Sequence, residues 1–91
     1  MSNTPRRIAS LKNLGPKSAE QIVAVGIDGP DEIRELGAAE VFHRVKSRFP
    51  DSTSLNLLWA LQGALMEVHW HDVPDEIKRQ LLAEVETLTN C

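Results

Sequence analysis

The sequence predicts an all-α fold, a compact domain of five to six short helices, and three observations predict it. Strand signals are nearly absent: period-2 alternation never lasts, aromatics make up 4% of the chain and Tyr is missing. Apolar residues recur instead at the i, i+3, i+4 spacing of amphipathic helices. Proline and glycine punctuate these runs in the order expected of helix starts and stops.

A short helix is possible around Ile8 to Leu11. The next begins at Pro16 and runs to about Val25, with Gly15 at the cap, Pro16 at the first position where a missing N–H is harmless, and Gly26 at the end. Its inward side is Ala19, Ile22, Val23 and Val25. Another spans Pro30 to Leu36, closed by Gly37, with Asp31 and Glu32 in the first turn where the helix dipole favours them. The third, about Ala38 to Phe49, turns Ala38, Val41, Phe42 and Val45 to one side and is stopped by Pro50. Asp51-Ser52-Thr53-Ser54 reads as a linker and N-cap for the fourth helix, Leu55 to about Val68. That helix is apolar over most of its circumference, with Asn56, Gly63 and Glu67 on a narrow polar strip, so it is expected to be the central post of the core. Gly63 is expected to permit close approach of a neighbouring helix. The fifth helix, from Pro74, presents Ile77, Leu81, Val85 and Leu88 as a lid on that post, with Leu82 beside them and an Asp75–Arg79 pair outside. A faint echo links Leu11-x-x-Leu14-Gly15 to Ile33-x-x-Leu36-Gly37, as two hairpins in tandem would.

Ninety-one residues suit one domain, 1–91, with residues 1–7 flexible. A hydrophobic content of 42% and a charged content of 25% are those of a soluble globular chain. The longest nearly apolar run, Leu57 to Met66, is interrupted by Gln62 and falls far short of the roughly 20 residues of a membrane span. No signal-peptide pattern opens the chain, so a cytoplasmic location in a bacterial-type cell and no membrane partner are expected. The net charge of −3 is unevenly spread. Residues 1–19 carry Arg6, Arg7, Lys12 and Lys17 and no acid, while the other six basic residues face all thirteen acids. This excludes a surface built throughout for nucleic acid and permits one local basic face beside a largely acidic body.

The stretch LKNLGPKSAEQIVAVGI, residues 11–27, sets that basic face around a tight turn. Hydrophobic-x-x-hydrophobic-Gly-Pro-Lys-Ser-Ala-Glu, ending in Val25-Gly26-Ile27, resembles a helix-hairpin-helix, a motif that binds DNA backbone phosphate without reading bases. Helix N-termini leave amides unpaired, and Gly15, Lys17 and Ser18 can offer N–H groups to an anion while Pro16 cannot. Lys17 stands beside them as a point charge, and Lys12 lies one turn back. The motif's usual Gly-x-Gly begins here with Asn13, which tolerates left-handed backbone but puts a side chain where bare backbone would be. The candidate nucleic-acid-binding set is therefore Lys12, Asn13, Gly15, Lys17 and Ser18. The same residues serve equally as a structural corner. Arg44 and Arg48, sharing a face of the third helix, are further candidate phosphate contacts.

Beyond the hairpin, LKNLGPKSAEQI, VGIDGPDEIRELGAAEVFHRVK and SLNLLWALQGALMEVHWHDVP, in that order, resemble the C-terminal domain of the TfoX/Sxy competence-regulator family over roughly residues 8–88. The resemblance implies a small all-helical domain related in shape to helix-hairpin-helix and SAM-like folds. It also implies a regulatory setting in which family members act with a DNA-bound transcription activator. The family's N-terminal domain has no counterpart in these 91 residues, which implies a free-standing version of one module.

Other constellations point elsewhere more weakly. His69-Trp70-His71-Asp72 could supply metal ligands, but no third and fourth ligand is specified, and the alternative is that Trp70 docks on the core with the two histidines flanking a turn. The only cysteine, Cys91, allows neither an intramolecular disulfide nor a cysteine metal cage. No nucleophile comes with a supporting base motif and no phosphate loop or nucleotide fingerprint is present, so neither an enzyme nor a cofactor is expected. Two functions remain in play: a non-enzymatic regulatory module touching DNA backbone weakly and without sequence specificity, or a protein-interaction module in transcription and competence regulation with no DNA contact.

Overall fold

Each helix boundary follows from a cap that the local residues supply. The computed structural model describes residues 8, 9, 11 and 13–90; residues 1–7, Lys12 and Cys91, on which some of the expectations above fall, lie outside them. Among the described residues there are five α-helices and no strand: α1 Pro16–Ala24, α2 Pro30–Leu36, α3 Ala38–Arg48, α4 Leu55–Met66 and α5 Asp75–Thr89. A single 3-10 turn, Trp70–Asp72, separates α4 from α5. Ile8 and Ala9 are helical, and the chain then turns through Leu11 N–H to Ile8 O and Leu14 N–H to Leu11 O bonds. The Cα radius of gyration, 12.1 Å, equals that of a compact chain of this length, about 12 Å.

Helix α1 opens on Gly15 and Pro16 and ends in a Schellman motif. Gly26 adopts φ +88°, its N–H bonds Val23 O, and Ile27 N–H reaches back to Ile22 O. Ile27 and Ile22, the residues this motif brings together, are both buried. Helix α4 ends the same way without a glycine: Glu67 takes φ +59°, and the N–H groups of Glu67 and Val68 bond Ala64 O and Gly63 O. The left-handed backbone of Glu67, costly for a residue with a Cβ, breaks the helix, and α4 stops at Met66, two residues before the sequence expectation. Glu67→Gly should relieve that strain and stabilise the domain by up to about 1 kcal/mol, read as a rise in the urea midpoint at unchanged m.

The inward residues expected of α3 are all buried, joined by Ala39. In α1, Ala19 and Ile22 are buried and Val23 and Val25 partly so; in α5, Leu81 is buried while Ile77, Val85 and Leu88 lean on the core. Leu82 is 40% exposed, and the Asp75–Arg79 pair does not form, an exposed i,i+4 pair having little energy to hold it.

The centre of the core is α3, not α4. Helix α3 packs against each of the other four helices, and α5 lies chiefly on α3 rather than capping α4. Helix α4 buries Leu57, Leu58, Leu61, Gly63 and Ala64 but exposes Leu55 and Asn56. Its broad apolar surface is half covered, by α3 on one side and by the 3-10 turn on another. The tandem-hairpin echo also stops at the sequence. Gly37 joins α2 directly to α3 at φ +84°, whereas Gly15 has φ −112° and the left-handed residue of the first turn is Asn13.

Candidate functional site

Asn13 is the residue about which the opening turn is built. At φ +74° it reverses the chain, and its side-chain amide then spans to the far end of α4. Nδ2 donates to Val68 O at 2.9 Å, and Oδ1 accepts from Trp70 N–H at 3.2 Å. The side chain so completes the backbone hydrogen bonding of the segment after α4. Gly63 makes this approach possible: a Cβ there would lie 2.6 Å from Asn13 Nδ2 and 2.8 Å from Val68 O. The close approach expected at Gly63 is real, but what approaches is the N-terminal turn and the Val68–Trp70 backbone rather than a helix.

This clamp aims the start of α1 at a groove of about 300 Å³. Lys17 and Ser18 enter it from the first turn of α1, and Ser54 and Asn56 from the N-terminal end of α4, so two helix N-termini border one concavity. Neither Gly15 nor Ser54 makes a side-chain capping bond, which leaves the first amides of both helices without a side-chain partner. The floor linker is held firmly. Lys46 Nζ donates to Pro50 O at 2.7 Å and Thr53 O at 2.9 Å, and buried Thr53 donates its hydroxyl to Phe49 O at 2.7 Å. Across the groove Gln21 Nε2 donates to Ser52 Oγ at 3.1 Å. Among the described residues the lining holds one cation, Lys17, and no acid.

Of the sequence-stated candidates, the structure brings Asn13, Lys17 and Ser18 to one groove with Gly15 between them; Lys12 lies outside the described residues. Asn13 does so as a structural clamp with both polar atoms occupied. Arg44 is paired with Glu40 at 2.9 Å and Arg48 lies over the Phe49 ring at 5.3 Å; neither lines the groove. Gln21, Ser52, Ser54 and Asn56 are not among the sequence candidates; the Asp51-Ser52-Thr53-Ser54 run reads from sequence only as a linker and N-cap. Trp70 lines the groove too, half-buried, while His69 and His71 are exposed. Among the described residues no three His, Cys, Asp or Glu side chains converge on a metal position. The acids gather elsewhere, with Asp28, Asp31, Glu32 and Glu35 around a second concavity. Among the described residues no helix is long and apolar enough to cross a membrane.

Helices packed around α3, with a clamped N-terminal turn over a polar groove, define a small all-helical module. The chain belongs to the TfoX C-terminal domain family, whose model matches residues 4–85. It is 30% identical over 84 residues to the DNA transformation protein TfoX1 of Aliivibrio fischeri, a match that takes in 92% of this chain and 40% of that protein's length. Two crystal forms of a protein of unknown function from Listeria monocytogenes share its fold. The triclinic form has a TM-score of 0.79 and 27% identity over 90% of this chain and 92% of that one. The tetragonal form has the same score and identity over 89% and 99%.

Proposed function

We propose that this domain is a non-enzymatic, DNA-associated regulatory module that contacts backbone phosphate weakly and without sequence specificity through the Asn13–Ser18 turn. The observation that carries this reading is the groove itself, in which Lys17, Ser18 and the N-terminal ends of α1 and α4 stand together with no acid among the described lining residues. Unpaired helix amides and a lysine are the donors a phosphate oxygen requires, and such contacts position a backbone without reading bases. Binding should sit at or below the weak end of non-specific affinity, a Kd of roughly 10⁻⁴ M or higher at physiological salt, since Lys17 is the one cation among the described residues of the groove. The relative's name, a DNA transformation protein, accords with a nucleic-acid setting.

Lys17→Glu should weaken binding of a short duplex at low salt by at least about tenfold while helicity by circular dichroism is unchanged, because it turns a cation of the groove into a repelling charge. Fluorescence anisotropy with a labelled duplex reads this directly. Affinity indifferent to both the substitution and added salt would overturn the phosphate reading.

A second reading, a protein-interaction module in competence regulation, draws on the occupied side chain of Asn13, which makes the turn a structural corner, and on the acidic surface of Asp28, Asp31, Glu32 and Glu35. A partner for that surface would be basic.

A further inference from the structure

We propose that the groove receives an unpaired nucleotide, its base against Trp70, beside which His69 and His71 stand outside the groove lining, and its phosphate at the Lys17 end, so that the domain favours single strands over duplex. The proposal deepens the DNA-associated reading and rests on it. A flat phosphate contact needs no concavity and no aromatic wall, yet this site has both. The groove reaches about 300 Å³, the lower bound of small-ligand sites, and Trp70 forms part of its lining.

The rings are clustered rather than scattered. The Trp70 and His71 centroids lie 3.8 Å apart, those of His69 and His71 4.5 Å, and those of His69 and Trp70 5.8 Å. The 3-10 turn and the bond from His71 N–H to His69 Nδ1, at 3.2 Å, hold the two exposed imidazoles beside the indole. Exposed aromatic rings are poorly explained by core packing here, since only Trp70 is even half-buried. Base faces stack on such rings whatever the base, and a duplex keeps those faces paired inside its own stack. Asn56 and Gln21 supply amides within reach of a base edge in the same groove.

One side chain fixes the two halves of the site relative to each other. Asn13 shapes the turn that carries Lys17, and its Oδ1 accepts the Trp70 backbone N–H. The backbone segments that carry Lys17 and Trp70 are thus joined before any ligand arrives, which lowers the ordering cost of binding.

The test uses Trp59→Phe, which leaves Trp70 as the one indole of the chain's two tryptophans. Its fluorescence is titrated at low salt with oligothymidylate, with the same strand paired to oligoadenylate, and with thymidine monophosphate. The single strand should quench Trp70 and bind between about 5-fold and 150-fold tighter than the duplex, the range of one stacked base. Trp70→Leu, followed by anisotropy, should erase that preference and leave the weaker duplex binding. Quenching by the monophosphate at concentrations no higher than the strand assigns the source as a free nucleotide, and tighter binding of the strand assigns it as single-stranded nucleic acid; either supports an unpaired nucleotide in the groove. Equal affinity for strand and duplex, with Trp70 unquenched and Lys17→Glu still abolishing both, would overturn this inference alone. Lys17-independent binding, or none with any of the three, would overturn it together with the phosphate reading.

Discussion

Gly63→Ala is expected to destabilise the domain by about 2–4 kcal/mol, the sum of overpacking strain and the partial loss of two hydrogen bonds. A Cβ at this position would stand 2.6 Å from Asn13 Nδ2, 2.8 Å from Val68 O and 3.2 Å from the Trp70 Cα. Two of those three atoms are backbone, so rotating one side chain does not clear the space. Either the Asn13 amide is expelled or the Val68–Trp70 segment moves. For a domain of this size the melting temperature should fall by at least roughly 10 °C. Adding Asn13→Gly to the Gly63→Ala protein removes the nearest clash but leaves Val68 O in place, so rescue should be partial, a coupling of about 1 kcal/mol between the two sites. A loss below about 0.5 kcal/mol for Gly63→Ala would mean that the turn and α4 do not meet as described.

Asn13→Ala should lower stability by about 2–3 kcal/mol, measured by urea denaturation. Both bonds of the amide span more than fifty positions of sequence, joining the opening turn to the segment after α4. Alanine leaves the Val68 carbonyl and the Trp70 N–H without these partners in a part-buried place, and it must hold φ +74° where Asn is better tolerated. Asn13→Gly separates the two effects: it accepts the backbone freely, loses the same bonds, and should cost less, about 1–2 kcal/mol. Equal and small losses for both variants would show that the amide bonds contribute nothing.

These residues also mark how far the sequence could be read. Helix starts at Pro16 and Pro30, and stops at Gly26 and Gly37, were legible because Pro and Gly act through their own backbone. The buried face of α3 was legible from its spacing. The stop at Glu67 was not, because a left-handed glutamate is imposed by the turn that follows, and nothing local announces it. The central position of α3 was hidden by composition: α4 carries more apolar residues, but Trp59, Ala60, Leu65 and Met66 are only half covered, while α3 touches every other helix with its five buried residues.

At the candidate site, the turn and its lysine could be found from the motif, and the departure at Asn13 was visible as a side chain in place of bare backbone. What that side chain does depends on Val68 and Trp70, and only the folded chain brings them together. The second wall of the groove, from Ser52 to Asn56, likewise comes from a distant segment held by the Lys46 and Thr53 bonds.

The central claim is that the Asn13–Ser18 turn and its groove hold a nucleic-acid phosphate. An NMR titration of the isotope-labelled domain with a short DNA duplex at low salt, run beside Lys17→Glu, tests it most directly. Amide shifts centred on Asn13 to Ser18 and on Ser52 to Asn56, absent in Lys17→Glu, are the predicted result. A folded domain whose spectrum does not move, or whose shifts gather away from this groove and persist in Lys17→Glu, would contradict it and leave the turn a structural corner.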